Sequence, residues 1–435
     1  MTTASPADFH AIHAPQLRRT VEMLRGAMLW LTGVSGAFVF MEPSPYEITS
    51  LVTIVLFAAS GLALRSSLLP LAALLILCNL GFAIAVVPVL DQPKTLMWVL
   101  VSCFLAVTAV FYAAMLSANT ETRLKLLLRG YTFAALIATL AGIAGYFHLI
   151  PGVSDIFLLY DRARGTFNDP NVLGAFLVLP ALLAFQRMLA NRFADAARAS
   201  MLLLVLMAGL FLSFSRGAWG QFAFASVVMM MLTFVTSRSP RERLRIVLIA
   251  VLGAMALAAL IAALLSIDQV AALFKQRAML EQSYDEGPTG RFGRWGLGFL
   301  LALDTPLGIG PLQFHFFFPE DPHNSYLNAF MSGGWIAGFA YLTLIAVTLV
   351  LGLRFVFVTT PWRGTYIAVY AAFVGTAVES AIIDSDHWRH YFLILGVLWG
   401  LMTVSRGYLP ARRRAAEVGL ATPRAARLAR AAAPS

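Results

Sequence analysis

Long apolar stretches alternate with short polar segments along almost the whole chain. A helix needs about 20 apolar residues to cross a bilayer, and roughly twelve stretches approach that length. The predicted spans are 23–41, 47–64, 67–89, 95–116, 130–150, 171–190, 199–214, 218–236, 245–267, 325–350, 364–384 and 390–405. The stretch 199–214 is short for a span, and 325–350 is long with Gly333-Gly334 near its start. Membrane β-strands would be about ten residues long with alternating polarity, so the pattern predicts an all-α polytopic membrane protein.

Composition supports this prediction and excludes two other classes of protein. Of 435 residues, 59% are hydrophobic and only 12% are charged, whereas a soluble domain has about 25% charged residues. So few charges cannot cover a water-facing surface, which excludes a soluble globular protein and a disordered one. The cysteines, Cys78 and Cys103, both lie in apolar stretches, so no disulfide framework is predicted. Residues 27–40 follow three arginines but lead into MEPSPYE without an A-x-A site, and we expect an uncleaved first span there.

The net charge of +10 raises the question of a nucleic-acid partner, and the placement of the charges answers it. With the N-terminus in the cytoplasm and the loops assigned alternately to each side, 23 of the 32 basic residues are cytoplasmic and 9 are outside. The net charge is then +17 inside and −7 outside, as the positive-inside rule requires. Basic residues beside helix ends set topology and contact anionic lipid, so we expect no nucleic-acid partner and two cytoplasmic termini.

This topology divides the chain into five predicted parts. They are a cytoplasmic arm (1–22), nine spans (23–267), a long outer loop with short helices (268–324), three spans (325–405) and a basic cytoplasmic tail (406–435). The tail is rich in Ala and Arg, a low-complexity composition typical of disordered or membrane-associated segments.

Since topology explains most basic residues, the outer ones are candidates for function. The segment YDRARGTFNDPN contains Arg164, Asn168 and Asn171 just before a span, and its Asn-Asp-Pro-Asn run predicts a turn and a helix start. The other interpretation is a capped loop whose arginines pair with Asp161 and Asp169.

The second candidate segment is SFSRGAWG, residues 213–220, between two spans. No acidic residue lies within 20 positions of Arg216 in the sequence, and a charge at membrane depth indicates function by default. The other interpretation is an arginine that snorkels to the interface. Ser213 and Ser215 can cap the turn there, and Gly217 allows close approach of a ligand.

The third candidate segment is the outer loop, which opens with the amphipathic run DQVAALFKQRAMLEQSY, suited to the membrane interface. Arg291 is predicted to begin a short helix after Pro288-Thr289-Gly290. His323 and Asn324 follow Pro322 at the start of a span. A histidine in that place is also compatible with a helix cap or a surface residue.

Together these side chains fit one kind of chemistry. The planar guanidinium of arginine binds phosphate oxygens in bidentate fashion and stays protonated, and histidine can accept a proton near neutral pH. Arginines and a base on the outer face suit a lipid-diphosphate donor and a hydroxyl acceptor. The arginines would stabilise the diphosphate leaving group, and His323 would activate the acceptor.

A metal site is the competing interpretation. Asp384, Asp386, His387 and His390 lie within the seven residues DSDHWRH and could form a ligand set. No second cluster in the sequence has the spacing of metal ligands. Cation–aromatic packing with Trp388 and Arg389 explains the DSDHWRH segment as well.

The motifs RGTFNDPN, SFSRGAWG, GRFGRW, PLGIGP and PHNSYL, in this order, resemble the O-antigen ligase and polymerase superfamily. The resemblance implies a twelve-span, metal-independent, inverting glycosyltransferase without a cofactor, facing the periplasm from the bacterial inner membrane. Its donor would be a polyprenyl-diphosphate-linked glycan and its acceptor a glycan or a lipid A core. Whether the reaction is ligation or polymerisation is not determined by these motifs.

Matching the motifs residue by residue implies the following roles. Arg216 and Arg291 would bind diphosphate, and His323 would be the base, positioned by Asn324. Arg164 matches a recurring arginine, and Arg294, three residues after Arg291, is the alternative phosphate ligand. The remaining polar residues expected in the substrate site are Asn168, Asn171 and Ser215.

Two other function classes remain. A transporter or flippase would fit twelve spans and Glu379, a carboxylate inside a predicted span. Transporters, however, favour charges at the bilayer midplane and inverted repeats, whereas the polar residues here cluster on one face. A structural membrane partner without activity is the third possibility.

Overall fold

The computed structural model describes residues 6–40, 43–152, 154–190, 193–278, 287 and 290–409. The predicted basic tail from residue 410 onward and residues 279–286 of the outer loop lie outside the described residues. The helices are α1 (Pro6–Ser35), α2 (Pro45–Ala59), α3 (Leu69–Ala85), α4 (Pro93–Met115), α5 (Thr120–Tyr146), α6 (Pro170–Ala190), α7 (Phe193–Leu212), α8 (Arg216–Thr236), α9 (Pro240–Leu265), α10 (Asp268–Ala278), α11 (Arg291–Asp304), α12 (Ser325–Val356), α13 (Arg363–Glu379) and α14 (Arg389–Ser405). In the described part of the chain, β-structure is confined to one antiparallel pair, β1 (Leu158–Leu159) and β2 (Arg162–Ala163). The all-α prediction is confirmed.

Every predicted span coincides with a helix, α1–α9 and α12–α14, and the predicted outer loop contains α10 and α11. Among the described residues, nine helices are long and apolar enough to cross a membrane: α3–α9, α12 and α14. Helices α2 and α13 have only 15 and 17 residues. They and α1 remain predicted spans.

Small residues bring the helices into close contact. A side-chain carbon on Gly130 of α5 would collide with the Trp30 carbonyl of α1, and one on Gly33 would lie 2.5 Å from the Leu127 carbonyl oxygen. Between α3 and α12, a carbon on Gly81 would lie 2.5 Å from the Gly333 carbonyl oxygen. In lipid the hydrophobic effect does not drive helices together, so close packing at small residues stabilises the bundle instead.

Helix α12 is two helices joined at a kink. Gly334 has φ 65° and ψ −165°, and any side chain there would collide with the backbone at Pro306–Gly308. The part after the kink, 335–356, measures roughly 33 Å at 1.5 Å per residue and is long enough to cross the bilayer alone. The apolar stretch 325–350 is therefore long because it combines a short helix with a span.

The polar segments gather at two opposite ends of the bundle. At the Arg25 end, Arg25 and Arg123 bind Glu22 at 2.6 and 2.9 Å, and Arg25 donates to the Ser60 carbonyl. At the opposite end, which contains His323, Arg389 binds Glu47 at 2.5 Å. Segments assigned to the same side of the membrane from the sequence thus meet in space.

Candidate functional site

Arg216 is the first residue of α8 and is half-buried at the His323 end. The Ser215 hydroxyl accepts a hydrogen bond from the Ala218 backbone N–H at 3.3 Å, so Ser215 is the helix N-cap, as predicted. Gly217 lies against α13: a side-chain carbon there would be 3.0 Å from Glu379 Oε1. The start of α8 therefore contacts the last residue of α13.

Glu379 is 2% exposed, and neither of its carboxyl oxygens has a hydrogen-bond partner within the part of the chain that the structure describes. It lies at the His323 end of α13, where the helix ends, rather than half-way along it. That placement is unlike the midplane charge of a transporter.

His323 precedes α12 and has φ 47°, a left-handed conformation that is costly for a residue with a side chain. The carboxylate of Asp384 stabilises it. The backbone N–H groups of His323 and Asn324 donate to Asp384 Oδ2 and Oδ1 at 3.1 and 2.9 Å, and His323 Nδ1 lies 3.5 Å from Oδ2. One carboxylate thus contacts both the backbone and the imidazole of His323.

Asp384 lies in the loop after α13, outside the helix. Burial raises the pKa of the Asp384 carboxyl, and the hydrogen bond from His323 opposes that rise by favouring the carboxylate. The sequence singled out Asp384 only as a possible metal ligand, and nothing in the sequence indicates its contact with a residue 61 positions away.

Asn324 is the N-cap of α12: its side-chain oxygen accepts from the Tyr326 and Leu327 backbone N–H groups, both at 3.1 Å. The next residue anchors the same helix start. The Ser325 backbone N–H donates to the Ser380 carbonyl at 2.8 Å, and its hydroxyl lies 3.1 Å from that of Ser385. The loop 380–385 therefore holds the start of α12.

Arg291 begins α11, as the sequence predicted, and is half-buried. One turn on, Arg294 is 2% exposed and binds Glu320 at 2.8 Å. Trp295 donates to the Pro322 carbonyl at 2.7 Å. These contacts fix α11 to the segment directly before His323.

The loop before α6 approaches the start of α8 through Arg162, which the sequence did not single out. Its Nε donates to the Ser213 carbonyl at 2.8 Å and its Nη2 to Asn171 Oδ1 at 2.7 Å. Arg164 is half-buried and donates to the Ile156 carbonyl at 3.2 Å, and Asn168 is exposed. Asn171 thus contacts a buried arginine.

The residues of the DSDHWRH segment contact different partners. Asp386 accepts from Asn328 Nδ2 at 3.0 Å and lies 3.3 Å from His387 Nδ1. The His387 ring packs against Trp98 at a tilt of 33° with 3.8 Å between centroids, and His390 stacks on Trp388. Among the described residues, no group of three or more His, Cys, Asp or Glu side chains is arranged to hold a metal ion.

The contacts at the His323 end join the start of α8, the start of α12 and α11. The end of α13 and its following loop contact the start of α8 at Gly217 and the start of α12 at His323, and α11 is attached beside them. A carboxylate-supported histidine and two arginines at helix starts therefore share one end of the bundle.

The comparisons with known proteins agree with the motifs. The family model of O-antigen ligase matches residues 199–342, a segment that contains Arg216, Arg291 and His323. No match was found among curated proteins. The match to residues 199–342 therefore supports the resemblance of this chain to the O-antigen ligase superfamily.

Proposed function

We propose that the chain transfers a polyprenyl-diphosphate-linked glycan to an acceptor hydroxyl at the periplasmic face of the bacterial inner membrane, as a ligase or a polymerase. The observation that carries the proposal is that the end of α13 and the loop after it contact both the start of α8 and His323. Gly217, next to Arg216, contacts Glu379, and His323 contacts Asp384 five residues later.

Arg216 and Arg291 would bind the diphosphate. Each is the first residue of a helix, α8 and α11, where unpaired backbone N–H groups and the helix dipole add positive charge. The fork of a guanidinium suits the oxygens of a diphosphate. As the donor bond breaks, negative charge develops on the diphosphate, and these fixed donors would stabilise that charge.

His323 would be the base. Because its Nδ1 faces Asp384 at 3.5 Å, Nε2 is the nitrogen that can take the acceptor's proton. The acceptor oxygen would attack the anomeric carbon, the bond from that carbon to the diphosphate oxygen would break, and the diphosphate would leave with the electron pair. A single displacement of this kind inverts the anomeric configuration.

Replacing the two arginines tests this proposal in cells. We expect Arg216→Ala and Arg291→Ala each to reduce glycan transfer by about 100-fold or more, the loss typical of removing a group that stabilises developing charge. Transfer is measured as surface glycan per amount of protein in the membrane fraction.

The matched control is Arg198→Ala. Arg198 is 84% exposed and its ion pair with Asp195 is long, at 3.6 Å, on α7 away from the His323 end. This variant should transfer glycan at the wild-type rate. Wild-type transfer by both the Arg216 and the Arg291 variants would contradict the proposal.

A further inference from the structure

A groove of about 670 Å³ lies between α1 and α5 at the Arg25 end of the bundle. Its lining positions on α1 extend from Arg19 to Trp30 and recur every three or four residues, so they share one face of the helix. Arg19, Met23, Ala27 and Trp30 in this row are all exposed. The groove is therefore open to the surroundings of that end, which the charge count assigns to the cytoplasmic side of the membrane.

The inner end of the groove is closed where the two helices meet. Trp30 and Phe133 pack with 5.8 Å between ring centroids, and the close contact of Gly33 with α5 follows one turn further on. Arg19 and Trp30 are eleven residues apart, about 16 Å along the helix at 1.5 Å per residue. Because the predicted span begins at residue 23, the groove starts at the level of the lipid headgroups and continues about 10 Å into the hydrocarbon.

The Arg19 end of the groove carries an excess of positive charge. Glu22 lines it, but the Glu22 carboxylate binds Arg25 at 2.6 Å and Arg123 at 2.9 Å. Both of these arginines are buried, and the exposed Arg19 adds a third guanidinium group beside them. Three guanidinium groups thus accompany one carboxylate, so an anion at this end of the groove is attracted and a cation is repelled.

Beyond Glu22 the lining becomes apolar. Met23, Ala27 and Trp30 of α1 lie opposite Leu126 of α5. A side-chain carbon on Gly26 would lie 2.9 Å from Leu126 Cδ1, so the absence of a side chain at Gly26 keeps this part of the groove open. Such a surface offers an acyl chain packing contacts along its length, as the contacts between helices do in lipid.

We propose that this groove binds one anionic glycerophospholipid of the cytoplasmic leaflet, with its phosphate at Arg19 and one acyl chain along Met23, Ala27 and Trp30. An inorganic phosphate would use the charged end alone. A zwitterionic lipid would bring its ammonium group to the three guanidinium groups, whereas an anionic lipid matches both the charged and the apolar part. The bound lipid would contact α1 and α5 together and hold them against each other.

The fluorescence of Trp30 tests the proposal, and this readout is independent of whether the chain is a glycosyltransferase. The full-length protein is reconstituted in phosphatidylcholine vesicles. A rising fraction of the lipid is then replaced by phosphatidylglycerol or phosphatidylcholine with brominated acyl chains, which quench a tryptophan on contact. The difference between wild type and Trp30→Phe gives the signal of Trp30. We expect brominated phosphatidylglycerol to quench it at an about fivefold lower mole fraction, the effect of one arginine near an anionic lipid.

Trp335 is the control for lipid outside the groove. It lies on α12 and is 41% exposed, close to the 37% of Trp30. Its signal is obtained in the same way from Trp335→Phe. The two brominated lipids should quench Trp335 equally.

Two neighbouring arginines separate a specific site from general surface charge. Arg19→Gln and Arg18→Gln remove the same charge from exposed, adjacent positions, but Arg18 lies about 100° further round the helix and does not line the groove. Arg19→Gln should abolish the preference of Trp30 for phosphatidylglycerol, and Arg18→Gln should keep it. A third variant, Ala27→Leu, fills the groove at an exposed position and should reduce the quenching of Trp30 by both lipids.

The proposal is overturned if the two lipids quench Trp30 equally, because the groove then holds only the surrounding lipid. It is also overturned if Trp335 shows the same preference as Trp30, or if Arg18→Gln and Arg19→Gln lower the preference by the same factor. Unchanged quenching in Ala27→Leu would show that no acyl chain lies along the groove.

Discussion

Asp384 accepts backbone hydrogen bonds from His323 and Asn324 while its Oδ2 faces the imidazole. A non-glycine residue with φ 47° persists only where its surroundings hold it there. Because the same carboxylate also faces Nδ1, it would orient the ring and stabilise the imidazolium that forms when His323 takes a proton. At the scale of single residues, Asp384 is thus the partner on which the proposed base depends.

Asp384→Asn should therefore lower the rate of glycan transfer at least tenfold. In the same orientation the amide presents an NH2 group where one of the two carboxylate oxygens accepts, so it loses one of the two backbone hydrogen bonds. It also carries no charge to stabilise an imidazolium. The rate is measured per amount of membrane-inserted protein. The control is Asp91→Asn, an exposed residue at the same end, which should leave the rate unchanged. A wild-type rate in the Asp384 variant would contradict the positioning role.

The sequence predicted helix starts well and contacts poorly. Arg291 after Pro-Thr-Gly and Ser215 before Arg216 were predictable, because local cap and turn preferences determine such positions. The contacts of Asp384 with His323 and of Arg162 with Ser213 were not, because they join residues 61 and 51 positions apart through the packing of whole helices.

Among the helices, α1 and α5 show how the bundle is held together. Gly33 and Gly130 let the backbones of the two helices touch. A side chain at either position would force the two helices apart. The sequence predicted these helices from their hydrophobicity. It did not predict which pairs pack together, because every lipid-facing and buried face is apolar alike.

Gly130→Ala should lower the melting temperature of the protein in detergent, because its methyl group would collide with the Trp30 carbonyl, a backbone atom that cannot turn away. Overpacking of this kind costs about 1–3 kcal/mol. Gly220→Ala on α8 is the matched control: no atom lies within 4 Å of the added carbon, and alanine favours the helix. An equal or higher melting temperature for the Gly130 variant would show that the α1–α5 contact is looser than described.

For the whole molecule, the positive-inside count and the contacts agree. Loops assigned to the same side from the sequence form ion pairs with one another, such as Glu22 with Arg123 and Glu47 with Arg389. The contacts establish two ends, and the charge rule proposes which of them faces the periplasm. The sequence predicted residues 268–324 as one long outer loop. Within it, the short helix α11 is attached to the segment before His323.

Cysteine labelling tests this orientation. In a protein whose exposed Cys103 is changed to Ser while buried Cys78 is kept, Asp155→Cys should react with a membrane-impermeant maleimide in intact spheroplasts. Arg198→Cys should react only after permeabilisation. The opposite pattern would place the His323 end in the cytoplasm and contradict the proposed topology.

We propose that His323 acts as the base in a transfer from a diphosphate-linked donor. Purified protein in proteoliposomes is given a polyprenyl-diphosphate-linked glycan and an acceptor glycan. The assay measures the release of polyprenyl diphosphate and the formation of the lengthened acceptor. Wild type should form both products in equal amounts, and His323→Ala should lose about 100-fold or more of the rate while remaining folded. Formation of both products by His323→Ala at the wild-type rate would show that His323 is not the base.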